Sequence, residues 1–224
     1  MTQPQIKPSF CWEDFDTVLL DMDGTLLDKN FDDTFWGTYV PKKYGEKHGL
    51  NREDAHREAF KHFHAAAGSL EWTDIEYWSR IFGLNIFDLQ LELVHLIKEL
   101  PGTLEFLQFL QKHKKEIVLV TNSHSKGLAL KFDVTRIEEY FTNVTCATEL
   151  GASKEEHHFW TNFEHTFPLN KKRTLFIDDN HKVLDIAYAH GLTNLITIAK
   201  PSSTLACCYS SKYPSVANIN ELIF

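Results

Sequence analysis

Residues 18–25 read Val18-Leu19-Leu20-Asp21-Met22-Asp23-Gly24-Thr25, three aliphatic side chains running straight into two carboxylates and a glycine. A short apolar run without alternation suits a strand covered on both faces, the habit of parallel sheets. Carboxylates two positions apart project to the same side of an extended chain, with Met22 turned the other way. The carboxyl end of a strand is where open α/β sheets bind their ligands. Gly24 allows a sharp turn or a close backbone approach there. Two adjacent carboxylates repel, so a divalent cation or a shared proton has to neutralise them. An Asp-Gly turn with local hydrogen bonds accounts equally well for such a motif standing alone.

It does not stand alone. Further apolar runs occupy 117–120, 144–147, 175–177 and 195–198, and helix-period segments occupy 104–113, 126–140, 155–167 and 183–189. This alternation predicts an α/β fold, a doubly wound parallel sheet with right-handed crossovers. The second run ends in Thr121-Asn122-Ser123 and the fourth in Asp178-Asp179-Asn180, with Lys154 at a helix start between the third and fourth. One rim of the sheet would gather Asp21, Asp23, Thr121, Lys154, Asp178 and Asp179.

Residues 28–101 are far too long for a connection between neighbouring elements. They carry helical patterns at 51–67, 71–82 and 88–100 and close on Pro101-Gly102, a chain-turning pair. The expected organisation is a core of residues 1–27 and 102–224 with an all-helical domain, 28–101, inserted after the first strand. The first ten residues are expected to be poorly anchored.

The chain has 224 residues, 23 Lys and Arg against 31 Asp and Glu, and a formal net charge of −8. Nothing basic is concentrated enough to release counterions, so neither nucleic acid nor an anionic membrane is expected as a partner. Cys11, Cys146, Cys207 and Cys208 form no CxxC pair, which fits a reducing cytoplasm. No signal-peptide core and no run near the ~20 apolar residues of a membrane helix is present in the sequence. The twelve histidines show no zinc-site spacing. His124, directly after the Thr121 motif, is placed to touch a phosphate or a sugar.

With these motifs in order, the chain resembles the haloacid dehalogenase (HAD) superfamily of phosphohydrolases. Asp21 to Thr25 matches the first motif, Thr121 the second, Lys154 the third and Asp178-Asp179 the fourth. The resemblance implies a HAD-like Rossmannoid core with strand order five-four-one-two-three, and makes the insertion a helical cap domain. Gly151-Ala152-Ser153-Lys154 carries serine where the family has proline before the lysine.

The chemistry that follows is phosphomonoester hydrolysis. Asp21 serves as nucleophile, giving an aspartyl-phosphate and splitting one difficult step into two. Mg2+ would be held by Asp21, the backbone carbonyl of Asp23 and the Asp178-Asp179 pair. The resemblance favours Asp179 as direct ligand, with Asp178 a second ligand or an outer partner. Asp23 protonates the leaving oxygen and later deprotonates the hydrolytic water. Thr121, Asn122 and His124 face the substrate, and Lys154 supplies positive charge to nucleophile and phosphoryl group. A halide leaves without a proton, so a dehalogenase has no use for Asp23.

The insert is rich in aromatic residues, among them Phe31, Phe35, Trp36, Tyr39, Phe60, Phe63, Trp72, Tyr77 and Trp78. Most are expected to build the insert's own core, though stacking on a purine is another use of such rings. The stretch from Asp16 to Asp28, the residues Phe35, Trp36, Val40 and Pro41, Thr121 to His124 and Arg173 to Asp179 are similar to the bacterial purine 5'-nucleotidases. That similarity implies a purine nucleoside 5'-monophosphate such as GMP or IMP as substrate. A sugar phosphate or phosphoglycolate phosphatase and a phosphomutase are alternatives within the class. A non-enzymatic phospho-acceptor signalling module uses the same residue types, but with its acidic pair on the first strand and its acceptor on a later one.

Overall fold

The computed structural model describes residues 5–224. Strands β1 (Thr17–Leu20), β2 (Glu116–Thr121), β3 (Asn143–Cys146), β4 (Thr174–Ile177), β5 (Asn194–Ile198) and β6 (Ser215–Val216) form one parallel sheet in the order β3-β2-β1-β4-β5-β6. Alternation along each strand splits the interior in two. Val18, Leu20, Ile117, Leu119, Leu175 and Ile177 face one core, whereas Leu19, Val118, Val120 and Phe176 face the other.

Helices α1 (Asn30–Thr34), α2 (Val40–His48), α3 (Arg52–Ala66), α4 (Ile75–Phe82) and α5 (Ile86–Glu92) all lie between β1 and β2. Next come α6 (Thr103–Lys112), α7 (Ser125–Thr135), α8 (Ala147–Leu150), α9 (His157–Thr166) and α10 (His181–Ala189). Phe106, Leu107 and Leu110 of α6 and Leu128 and Phe132 of α7 cover the first face, and α9 and α10 cover the second. The chain winds outward from β1 to β3, then crosses to β4 and winds the other way. That reversal opens a crevice at the carboxyl ends of β1 and β4, the place where such sheets take their ligands.

The insert helices bury an apolar cluster of their own, built on Phe35, Val40, Phe63, Ile75, Trp78, Phe82 and Ile86. Most of the insert's rings belong to it, as their number suggested. The two crossing segments lie side by side: Leu27 pairs antiparallel with Glu99, the Asp28 amide donates to Lys98 O, and the Leu100 amide donates to Leu26 O.

Several local expectations need correction. The expected helix over 88–100 ends at Glu92, gives a short 3-10 turn at Val94–Leu96, and becomes the extended partner of Leu27. The helix expected over 126–140 breaks at Arg136, whose φ of 58° is left-handed. Residues 30–48 are helical throughout, although Gly37 and Pro41 argue against it. A π-helical turn at Phe35–Tyr39 precedes Pro41 at the start of α2, where its missing N–H costs little. Residues 5–10 are anchored rather than loose. The Ser215 amide donates to Ile6 O, Gln5 Nε2 donates to Ser215 O, and Phe10 packs edge-on against Trp12 and Phe15. Residues 1–4 lie outside the described part of the chain.

Candidate active site

At the carboxyl end of β1 the Asp21 amide still donates to Ile177 O at 3.0 Å, which fixes its side chain beside β4. The chain then folds tightly: the amides of Thr25, Leu26 and Leu27 all converge on Met22 O. Gly24, at φ 92°, makes the turn possible. A β-carbon there would stand 2.6 Å from Asp179 Oδ2, so the glycine also admits the second acidic strand end.

Lys154 Nζ is the hub. It donates to Asp21 Oδ1, to Asp178 Oδ2 at 2.7 Å and to Val120 O at 3.1 Å, and all three side chains are buried. Burial by itself would strip this lysine of its proton, but the Asp178 and Asp21 carboxylates outweigh it and hold the ammonium charged. Burial pushes the Asp21 carboxyl up to about 6 against the pull of Lys154, and drives Asp178 well above the usual carboxylate range. Asp21 Oδ2 is buried and finds no hydrogen-bond partner among the described residues. Oxygens of Asp21, Asp178 and Asp179 all lie within 4.8 Å of one another.

Ser153, the residue standing in place of proline, has a local explanation. Its amide donates to Glu156 Oε1 at 2.9 Å, a bond that proline cannot make. Asn122 is occupied by the protein itself: its Nδ2 donates to Glu155 and its Oδ1 accepts from the Lys154 amide. It holds the lysine loop and also lines the cleft. Thr121 Oγ1 accepts from the Ser123 amide and lines the cleft. His124 caps α7, its Nδ1 accepting from the Lys126 amide, while Nε2 faces Asp74 of the insert at 3.8 Å.

The Asp23 carboxylate stands apart from the three acidic groups around Lys154. Ser123 Oγ donates to it at 2.8 Å and Lys131 Nζ at 2.7 Å. Lys131, buried on α7, also reaches Asp32 of α1 at 3.0 Å and lies over the Phe31 ring. Burial raises Asp23, yet Lys131 and Ser123 overcome it and keep this carboxyl below its ordinary value. Burial and the Asp23 charge together push Asp32 up to about 7.

Sequence reasoning missed Lys131, and it placed the segment Phe31 to Trp36 at the site entrance without giving Asp32 a role. A lysine at the 128-131-132-135 positions of a helix sits on its apolar face, and that is the signal that was there to read. Lys29, which donates to Asp179 Oδ2 at 2.7 Å, carries no such signal. Glu155, which ties Asn122 to Asn180, carries none either.

Asp32 gives a direct test. Its folded-state pKa lies above the unfolded value, so the folded protein binds more protons between about pH 4 and 7. Stability from this group is therefore present at low pH and lost as pH rises towards 7. Asp32→Asn is expected to flatten that slope in urea melts between pH 5 and 8, and an unchanged slope would refute the assignment.

Above these groups the cleft has a volume of about 460 Å³ and reaches Trp36, Phe60, Phe63 and Trp72 of the insert. That size suits a small-molecule ligand. Residues 15–191 match the sequence profile described as hydrolase, haloacid dehalogenase-like hydrolase. The chain belongs to that family. It is similar to the GMP/IMP nucleotidase YrfG of Escherichia coli K12, with 33% identity over 215 residues, 96% of this chain and 97% of the relative. Among solved structures, a HAD phosphatase from Thermococcus onnurineus superposes with a TM-score of 0.74 at 19% identity, covering 93% of this chain and 96% of the other. CbbY from Rhodobacter sphaeroides, solved with phosphate, gives 0.65 at 13% identity, covering 93% and 96%. Such distant structures speak for the fold, and the sheet order is that of this HAD-like hydrolase fold with a sixth strand added at the β5 edge. Among the described residues no helix is long and apolar enough to cross a membrane, and all four cysteines are free.

Proposed function

We propose that this HAD-like hydrolase is a Mg2+-dependent phosphomonoesterase acting on purine nucleoside 5'-monophosphates, with residues 28–101 serving as its cap. The observation that carries the reading is the pairing of Asp21, whose Oδ2 is free, with Asp23 two residues later on a separate set of partners. A nucleophile and a proton-transferring carboxylate are thus held apart, Asp21 on Lys154 and Asp23 on Lys131 and Ser123.

Asp21 Oδ2 attacks phosphorus, and its Oδ1 stays bound to Lys154, which aligns the carboxylate and offsets its charge. Asp23, kept ionised by Lys131 and Ser123, first takes up a proton, for which Asp32 beside it, raised to about 7, is the source. It passes that proton to the departing alkoxide and later takes one from the water that opens the aspartyl-phosphate. The Thr121 hydroxyl, whose lone pair is committed to the Ser123 amide, keeps its proton free for a phosphoryl oxygen. Lys29 and Lys154 bracket the same space with positive charge.

The residues fit the cation that the family implies. Three carboxylates converge, one with an orphaned buried oxygen, in a site of oxygen donors alone. Asp21, Asp178 and Asp179 would hold Mg2+, with the Asp23 carbonyl as a further donor. When bound, it neutralises the repulsion between carboxylate and phosphate and polarises the phosphoryl group. The nucleotide assignment is supported by YrfG, a GMP/IMP nucleotidase similar over nearly the whole chain, and by the ring-lined cleft.

A phosphate-release panel over GMP, IMP, AMP, ribose 5-phosphate, phosphoglycolate and a hexose phosphate tests this. GMP and IMP are expected to give the highest kcat/KM, with release falling at least about a hundredfold in EDTA. Highest turnover on a sugar phosphate or phosphoglycolate would overturn the nucleotide assignment, and full activity in EDTA would overturn the metal.

A further inference from the structure

One polar side chain in the cleft wall has no partner and no part in the chemistry above. Gln90, on α5, is 4% exposed and lines the cleft from the insert's side. Its Oε1 makes no hydrogen bond among the described residues. Glutamine is seldom buried, and a buried carbonyl left unpaired is costly, so an amide kept there needs a reason other than packing. Its helical neighbours Ile86 and Leu89 turn into the insert's apolar cluster, which leaves Gln90 facing α7. There it lies over Gly127, where a β-carbon would stand 3.6 Å from Oε1 and 3.7 Å from Nε2.

The position decides what the amide can meet. Phosphorus has to lie at Asp21, and the leaving oxygen at Asp23. Both partners of Asp23, Ser123 and Lys131, come from the β2–α7 segment, so the acid faces α7. A side chain seated over Gly127 of that same helix borders the leaving group, away from the phosphoryl group.

We propose that Gln90 is a specificity-determining residue for the leaving group, its amide hydrogen-bonding the polar atoms of the departing nucleoside. The identity of that group rests on the nucleotidase reading. A primary amide offers one acceptor and two donors in a plane. It matches the ribose diol, or the N1–H and O6 edge of a 6-oxopurine, whereas a nitrophenyl ring offers no donor and only the weakly accepting nitro oxygens at its far end. A site that hydrogen-bonds its substrate discriminates sharply against an analogue lacking those atoms.

The test is steady-state kinetics of the full chain with Mg2+ on GMP, ribose 5-phosphate and p-nitrophenyl phosphate, with thermal melts. Gln90→Leu keeps the shape and removes the amide. It is expected to lose about tenfold or more in kcat/KM on GMP, mainly through KM, while p-nitrophenyl phosphate stays within about twofold. Its melting temperature should equal or exceed that of the wild type, because the unpaired carbonyl is gone. Gln90→Asn, which keeps an amide, is expected to recover part of the GMP activity. A parallel loss on ribose 5-phosphate puts the amide on the sugar, and retention there puts it on the base. Equal losses on GMP and p-nitrophenyl phosphate, or no loss on either, would overturn the proposal. A wild type that turns over p-nitrophenyl phosphate and the sugar phosphate but not GMP is a failure of the nucleotidase reading, visible before any variant is made. Gln90 is then judged on the sugar phosphate by the same ratio: a selective loss upholds its role and an unchanged ratio ends it.

Discussion

Asp21→Asn is expected to lower phosphate release by about 10³-fold or more with every ester, at unchanged or higher stability. The two halves of this result have one physical origin. The carboxylate sits where burial penalises its charge, which is why its pKa rises to about 6. That cost is kept in the folded state because a free Oδ2 is what attacks phosphorus. An asparagine is nearly isosteric, still offers Oδ1 to Lys154, and has no nucleophilic lone pair to replace Oδ2. It removes a charge from a site where Asp178 and Asp179 lie close by. Malachite-green phosphate assays and urea melts on the same preparation measure both quantities. Activity within tenfold of the wild type would remove Asp21 as nucleophile. A loss of activity accompanied by a large loss of stability would mean that the residue is chiefly structural.

The split between what the sequence discloses and what it conceals follows the range of the forces involved. Strand ends were legible because an aliphatic run stopping at a polar pair is a local pattern, and Asp21, Thr121 and Asp178 each stand at such a stop. Lys154 was legible through its place before a helix. The partners that set these groups' electrostatics were not. Lys131 meets Asp23 across 108 positions of chain and Lys29 meets Asp179 across 150, and nothing near either lysine in sequence announces its carboxylate. The helix through Pro41 was hidden for a different reason. A π turn absorbs the proline, and Phe35 and Val40 are held in place by a tertiary cluster that propensity does not register. The short strand β6 was hidden because two residues carry no periodicity. It is set by tertiary pairing with Thr197 and Ile198 of β5, and Ile6 and Gln5 also return to bind Ser215. Asn122 shows a role that spacing does not register: in a telling place at the cleft, its amide also ties Glu155 to the Lys154 backbone.

Lys154→Met is expected to abolish turnover and, without added metal, to cost about 3–5 kcal/mol, a large part of what holds a domain together. Among the described residues the ammonium is the one positive group within hydrogen-bonding reach of Asp178, a carboxylate 1% exposed. Methionine fills much of the same volume but leaves Asp178 and Asp21 facing each other with no compensating charge. They respond by taking up protons, and the folded-state pKa values, already raised, climb further. The sign of the pH effect follows. A folded state that binds more protons than the unfolded chain is favoured at low pH, so the deficit against wild type should be small near pH 5 and grow towards pH 8. Mg2+ should then stabilise the variant more than it stabilises the wild type, because it meets an acidic cluster with one less internal cation. Activity should stay absent with the metal present, since the group that aligns Asp21 Oδ1 is gone. Urea melts at the two pH values, each with and without Mg2+, separate these contributions. A variant as stable as the wild type at pH 8 without metal would show that the carboxylates around Lys154 do not depend on its charge, and the electrostatic account of the site would fall with it.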